Sequence, residues 1–135
     1  MSQSIETIEG IGPAYGEKLR NAGCGTPGAL LNAGATPDGR QTIAAKTGIS
    51  DSVVLRCVNM ADLFRIKGVA GEYAELLEAS GVDTVKELRH RNAENLAAKM
   101  EEVNGTKRLC RVVPSLKQIE DWIAQAKELP PVVTY

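Results

Sequence analysis

The segment Gly10-Ile11-Gly12-Pro13 has the composition of a turn that can bind phosphate. Glycine tolerates a positive φ and has no side chain to block the approach of a ligand to the backbone. If a helix begins at Pro13, its free N–H groups and the positive end of its dipole face the turn, where they favour an anion. Ile11 is then the apolar residue that anchors the turn in the core. The sequence therefore predicts a phosphate site at Gly10, Ile11 and Gly12, with Lys18 and Arg20 as nearby cations.

A second, altered copy of this turn begins at Gly68, preceded by Lys67. In this copy Ala70 replaces the second glycine, Gly71 stands in the place of proline, and Glu72 puts a carboxylate at the start of the next helix. A carboxylate there stabilises the helix but repels a phosphate. Lys67 and Gly68 are therefore the weaker of the two candidate sites.

The similarity extends beyond the turns and divides the chain into two repeats. Matching residues are Gly10 and Gly68, Gly23 and Gly81, Thr26 and Thr84, Leu30 and Leu88, and, after a change of spacing, Ser50 and Ser115. We expect a first repeat at residues 1–62, a second at 63–129 and a tail at 130–135 that is extended or packs back on the body, since two prolines end the last helix.

Helix start and stop signals occur throughout both repeats, and no convincing alternating strand pattern is present, so the predicted fold is all-α. The expected helix starts are Pro13, Thr26-Pro27, Thr36-Pro37, Ser50, Asp83 or Thr84, Asn92 and Ser115, with Gly23 and Gly81 as stops. The predicted core, shared between the repeats, contains Ile8, Ile11, Leu19, Leu30, Ile43, Val54, Leu63, Ile66, Val69, Leu76, Leu77, Leu88, Leu96, Ile119 and Trp122.

The segment from Asn104 to Val113 is predicted to be an irregular loop and carries the densest run of positive charge. Lys107 and Arg108, with Arg111, are therefore further candidates for contact with nucleic acid. Their alternative interpretation is an ordinary solvated surface, because acidic residues are interleaved with the basic ones along the chain.

Composition limits the classes of function. The 16 Lys and Arg residues nearly balance 17 Asp and Glu, and the pI near 5.9 argues against strong, unspecific coating of DNA. Three cysteines without a C-x-x-C pair and a single histidine favour buried, reduced thiols over a zinc site. No membrane-spanning or secretory segment is evident, so we expect a cytoplasmic protein without membrane contact.

The segment IEGIGPAYGEKLRNAG resembles the helix-hairpin-helix motif. Together with TPGALL and GISDSVVLRCVNMA it is similar to the small N-terminal domain of archaeal and eukaryotic strand-exchange recombinases, a SAM-like all-α fold. GVDTVKEL in the second repeat is also similar to the C-terminal domain of the bacterial RNA polymerase alpha subunit. The tandem arrangement is similar to an uncharacterised bacterial family. The resemblance implies two pseudo-repeated hairpin units. Relatives of the motif mostly bind the DNA backbone without reading its sequence, whereas some copies mediate protein contacts or only pack, so the resemblance implies weak DNA binding through the first hairpin.

The sequence departs from these families in two respects. Ala14 stands where DNA-binding hairpins commonly have a basic or small polar residue, and no G-x-x-x-x-G-K-[ST] phosphate loop is present, so no ATPase activity carries over. We expect a binding module with no cofactor and no catalytic residues. DNA binding through the first hairpin is the first hypothesis, a protein-interaction adaptor is the alternative, and an enzyme is the least favoured.

Overall fold

The structure, a computed structural model, describes residues 4–8 and 10–135, and within these ranges it contains helices and no strand. The prediction of an all-α fold is thus confirmed. The chain forms two compact units, one ending at Asp62 and completed by Val132–Tyr135, the other comprising Leu63–Pro131. Of the residues expected to form the tail, Val132–Tyr135 belong to the first unit, whereas Pro130 and Pro131 belong to the second. The division into two repeats stays a prediction.

Unit 1 contains a 3-10 helix at Ile5–Thr7, then α1 (Pro13–Asn21), α2 (Pro27–Gly34), α3 (Pro37–Thr47) and α4 (Asp51–Leu63), whose last residue begins unit 2. Unit 2 contains α5 (Gly71–Ala79), α6 (Val85–Leu88), α7 (Ala93–Lys107) and α8 (Leu116–Glu128). In unit 1, α1 packs against the 3-10 helix and α3, and α2 packs against α3; in unit 2, α8 packs against α6 and α7.

Threonine caps explain where several helices begin. The Oγ1 of Thr26 accepts a hydrogen bond from the N–H of Ala29 at 3.1 Å, and the Oγ1 of Thr36 accepts one from Gly39 at 3.1 Å. A proline follows each cap at the first helical position, where its missing N–H costs nothing. Thr84 caps α6 in the same way. These starts agree with the sequence-based predictions.

The last helix begins with a capping box. Ser115 Oγ accepts a hydrogen bond from the N–H of Gln118 at 3.1 Å, and Gln118 Oε1 accepts one from the N–H of Ser115 at 2.8 Å. Two donors that the helix itself leaves unpaired are thereby satisfied.

Every residue predicted for the core is buried, including Trp122 at 2% exposure. Cys24, Cys57 and Cys110 are also buried and form no disulfide. In the described part of the chain, none of the helices is both long and apolar enough to cross a membrane.

The predicted loop from Asn104 is wrong in its first part, because α7 continues through Lys107. The helix ends at Arg108, which adopts a left-handed conformation with φ 52° and donates its N–H to the carbonyl of Asn104. The Asn104 side chain then donates to the Cys110 carbonyl and accepts from the Cys110 N–H, both at 2.9 Å. A side chain inside the last turn thus organises the segment that follows, which no local pattern indicated.

Candidate phosphate-binding site

The first glycine turn reverses the chain between the 3-10 helix and α1. Gly10 has a φ of 93°, in the region that favours glycine. Ile11 is 5% exposed and donates its N–H to the Ile8 carbonyl at 3.1 Å. Gly12 is extended, and its carbonyl accepts the first helical hydrogen bond, from the N–H of Gly16 at 2.8 Å. The three predicted turn residues therefore lie together at the start of α1, with Ile11 in the core.

The start of α1 is exposed and has no side-chain cap. Gly12, Pro13, Ala14 and Tyr15 are all exposed, and no side chain accepts a hydrogen bond from the first turn. The N–H groups of a first helical turn have no partner within the helix, so these donors face solvent or a ligand. Among the helices with a described N-cap, α5 also lacks a side-chain cap, whereas side chains cap α2, α3, α6, α7 and α8.

Lys18 lies one helical turn beyond Ala14, so both residues share one face of α1. Lys18 is exposed and lines a shallow recess of about 450 Å³ together with Lys46 of α3, Asn21 and Ala22. Two like charges in one recess favour an anion there. Lys46 was not among the sequence-predicted residues, because its position beside Lys18 depends on how α3 packs against α1.

Arg20, in contrast, is engaged by an acidic partner. Its guanidinium pairs with the carboxylate of Glu6, and both side chains are well exposed. Such a surface pair contributes only about 0 to 1 kcal/mol to stability, but the carboxylate offsets the charge that Arg20 would offer to a phosphate. The structure therefore makes Arg20 a weaker candidate than Lys18.

A further cation lies against the turn. A Cβ at Gly10 would come within 2.9 Å of Arg56 Nη1, so the guanidinium of this α4 residue packs where Gly10 has no side chain. Sequence reasoning did not single out Arg56. Its proximity to the turn arises from tertiary packing within unit 1, and the spacing of residues along α4 carries no signal for it.

The second turn repeats the backbone geometry of the first. Gly68 has a φ of 97°, the N–H of Val69 donates to Ile66 at 3.1 Å, and the N–H of Ala74 donates to Ala70 at 2.8 Å. Glu72 lies in the first turn of α5, as the sequence indicates. The backbone is thus equivalent, while the charge at the helix start is opposite to what a phosphate needs.

The second turn is also held by α8. Gln125 Oε1 accepts a hydrogen bond from the Lys67 N–H at 2.8 Å, and Gln125 Nε2 donates to the Lys67 carbonyl at 3.1 Å. A Cβ at Gly68 would lie 3.0 Å from Trp122 Nε1. The polar backbone atoms of Lys67 and the open side of Gly68 therefore serve packing within unit 2.

The remaining candidates, Lys107 and Arg108, are exposed at the end of α7 in unit 2. The residues of the first turn, Lys18 and Arg20 belong to unit 1. Within residues 4–8 and 10–135, no three His, Cys, Asp or Glu side chains form a group that could hold a metal ion.

Residues 9–129 match a family described as a domain of unknown function (DUF4332). The chain belongs to this family. The matched range includes both glycine turns and every candidate residue from Gly10 to Arg108. The family's description states no activity. No curated protein and no solved structure matches the chain.

Proposed function

We propose that unit 1 is a helix-hairpin-helix module that binds the sugar-phosphate backbone of DNA without reading its sequence. The observation that supports this most strongly is the uncapped, exposed start of α1 behind the positive-φ turn at Gly10. Backbone N–H groups at such a helix start, with the positive end of the helix dipole, form an anion site.

Lys18 and Lys46 extend this site along α1. The axial rise from Ala14 to Lys18 is about 6 Å, from 1.5 Å per residue. A flexible lysine at that distance can contact the same phosphate or a neighbouring one. The two units then contribute differently, because Glu72 and the Gln125 contacts make the second turn a packing element.

Few phosphates are neutralised by this arrangement, so binding is weak and sensitive to salt. With about two or three phosphate contacts, the affinity for duplex DNA falls roughly 10- to 40-fold between 50 and 200 mM salt. We expect dissociation constants of about 10⁻⁴ to 10⁻⁶ M, the range of non-specific binding.

The test is fluorescence anisotropy with labelled single-stranded, duplex and branched DNA at these two salt concentrations. Gly12→Glu places a carboxylate at the helix start, and the open space around Gly12 accommodates the added side chain. We expect this variant to lose salt-sensitive binding. Gly12→Ala, which adds no charge, retains it.

Ala70→Glu is the matched control in the second turn, because Ala70 is the exposed N-cap of α5. We expect it to bind DNA as the wild type does. Equal losses in Gly12→Glu and Ala70→Glu would mean that net charge, and not the first turn, controls binding.

The alternative is a protein-interaction adaptor. The pairing of Arg20 with Glu6 and the exposure of two apolar side chains in unit 2, Val112 at 71% and Leu116 at 41%, favour it. A folded wild-type protein that binds none of the three DNA forms at 50 mM salt and about 500 μM protein, a concentration above the expected dissociation constants, would reject DNA binding and leave the adaptor as the better explanation.

A further inference from the structure

A short extended segment, Val132–Tyr135, occupies a groove on unit 1. The N–H of Thr134 donates to the Ala35 carbonyl at 2.8 Å, and the Thr134 carbonyl accepts a hydrogen bond from Arg40 Nη2 at 2.7 Å. Both backbone polar groups of Thr134 are therefore paired. Pairing of main-chain groups in this way is how extended peptides are commonly bound.

Arg40 connects the groove to the end of α2. It is 7% exposed, and its Nη1 donates to the carbonyls of Gly34 at 2.9 Å and Ala35 at 3.2 Å. A buried guanidinium needs hydrogen-bond acceptors, and helix-end carbonyls are available because the helix leaves them unpaired. The Arg40 side chain thus caps the C-terminal end of α2 and also donates a hydrogen bond to the backbone of the extended segment.

Helix α4 contacts both α2 and the extended segment. A Cβ at Gly34 would lie 2.5 Å from Val58 Cγ2, so only glycine permits this approach. Asn59, next to Val58 and 8% exposed, accepts a hydrogen bond from the Tyr135 hydroxyl at 3.1 Å.

Three of the four residues of the segment are bound in different ways. Val133 is buried at 8% exposure, Thr134 is exposed, and the ring of Tyr135 lies under the Arg40 guanidinium, with 5.7 Å from Cζ to the ring centroid. The groove therefore provides an apolar seat, a main-chain clamp and a cation over an aromatic ring next to a hydroxyl acceptor.

We propose that unit 1 carries a peptide-binding groove that recognises an extended Val-Thr-Tyr segment, and that the chain's own residues 132–135 are its built-in occupant. The effective concentration of a segment on a short tether is about millimolar. A free peptide therefore binds with a dissociation constant of about a millimolar or tighter once the tethered segment is displaced. This inference is independent of the DNA-binding proposal, since it uses other residues of unit 1.

The test uses the full chain and a peptide with the sequence of residues 129–135, acetylated and amidated so that its ends carry no charge. Val133→Asp in the protein puts a carboxylate into the apolar seat and releases the tethered segment. We expect NMR titration to show peptide binding to this variant, with shifts at Ala35, Arg40 and Asn59. Compared with Val133→Asp, the wild type binds the peptide at least roughly tenfold more weakly, because the tethered segment occupies the groove for about nine-tenths of the time or more.

Two control peptides are tested on the Val133→Asp protein. A peptide with Val133→Asp does not bind, and one with Tyr135→Phe binds about fivefold more weakly, as expected for the loss of one hydrogen bond. In the Val133→Asp protein that also carries Asn59→Leu, the Tyr and Phe peptides bind equally. No binding of the wild-type peptide to the Val133→Asp protein at several millimolar would overturn the groove. Equal binding to the wild type and Val133→Asp would overturn the built-in occupant.

Discussion

The contact between Gly68 and Trp122 gives a stability prediction that can be worked out from local geometry. In Gly68→Ala the new methyl group meets two costs. One is the positive φ of 97°, which disfavours an L-residue by about 1 to 2 kcal/mol. The other is the 3.0 Å approach to Trp122 Nε1, since the indole is buried and its packing neighbours restrict its movement. Overpacking of this kind costs roughly 1 to 3 kcal/mol.

Gly81→Ala separates these two costs. Gly81 has a nearly equal φ of 93°, and its nearest neighbour would be Arg91 Nη1 at 3.6 Å, an ordinary contact with the end of a flexible side chain. We expect a loss of about 1 to 2 kcal/mol in Gly81→Ala and about 2 to 5 kcal/mol in Gly68→Ala.

The assay is urea unfolding followed by tryptophan fluorescence, because Trp122 is the only tryptophan and lies in unit 2 together with both glycines. The difference between the two variants measures the contact with the indole, as both share the backbone cost. Equal destabilisation would refute the close packing of the turn on α8. No destabilisation in either variant would refute the left-handed conformations.

Other predictions concern single side chains. Burial, with two neighbouring glutamates, raises the pKa of Asp83, so the folded state binds the Asp83 proton more tightly than the unfolded chain does. The ionised carboxylate therefore destabilises the folded state at pH 7, and Asp83→Asn raises the urea midpoint there. This gain disappears below about pH 4, where Asp83 is protonated in both states. Burial raises the pKa of the Cys24 thiol, and the positive charge of Lys46 opposes this with a smaller effect. Cys24 should therefore react with maleimide much more slowly in the folded protein than in urea. Rapid labelling of Cys24 under native conditions would contradict its 1% exposure. Thr26→Ala removes the α2 cap and should cost about 1 kcal/mol in thermal unfolding, whereas Thr42→Ala, at an exposed site inside α3, should cost little.

Local signals identified most helix starts because the capping chemistry lies within a few residues. Thr26, Thr36 and Ser115 each bond an N–H three residues ahead, so the sequence pattern contains both partners. The apolar periodicity likewise identified the core, including Trp122, since burial follows from position on a helix face.

Contacts between distant segments were not predictable in this way. Arg56 lies against the first turn, and Gln125 pairs with the backbone of Lys67, although neither residue is near its partner in sequence. The two hydrogen bonds between the Asn104 side chain and Cys110, which organise the segment after α7, likewise have no signature in the local sequence pattern. The candidate site was therefore predictable in its turn residues but not in its charges.

The missing cap at α1 has a consequence for protein engineering. Gly12 has the extended backbone of an N-cap, with φ −85° and ψ −178°, and free space around its Cα, so Gly12→Ser would fit without strain. A serine cap usually stabilises a helix relative to glycine by a few tenths of a kcal/mol. Its hydroxyl would, however, accept a hydrogen bond from one of the N–H groups that we assign to phosphate. Gly12→Ser would therefore make the module more stable but weaken its binding of phosphate. Directed selection for heat resistance would reveal this trade-off between stability and function.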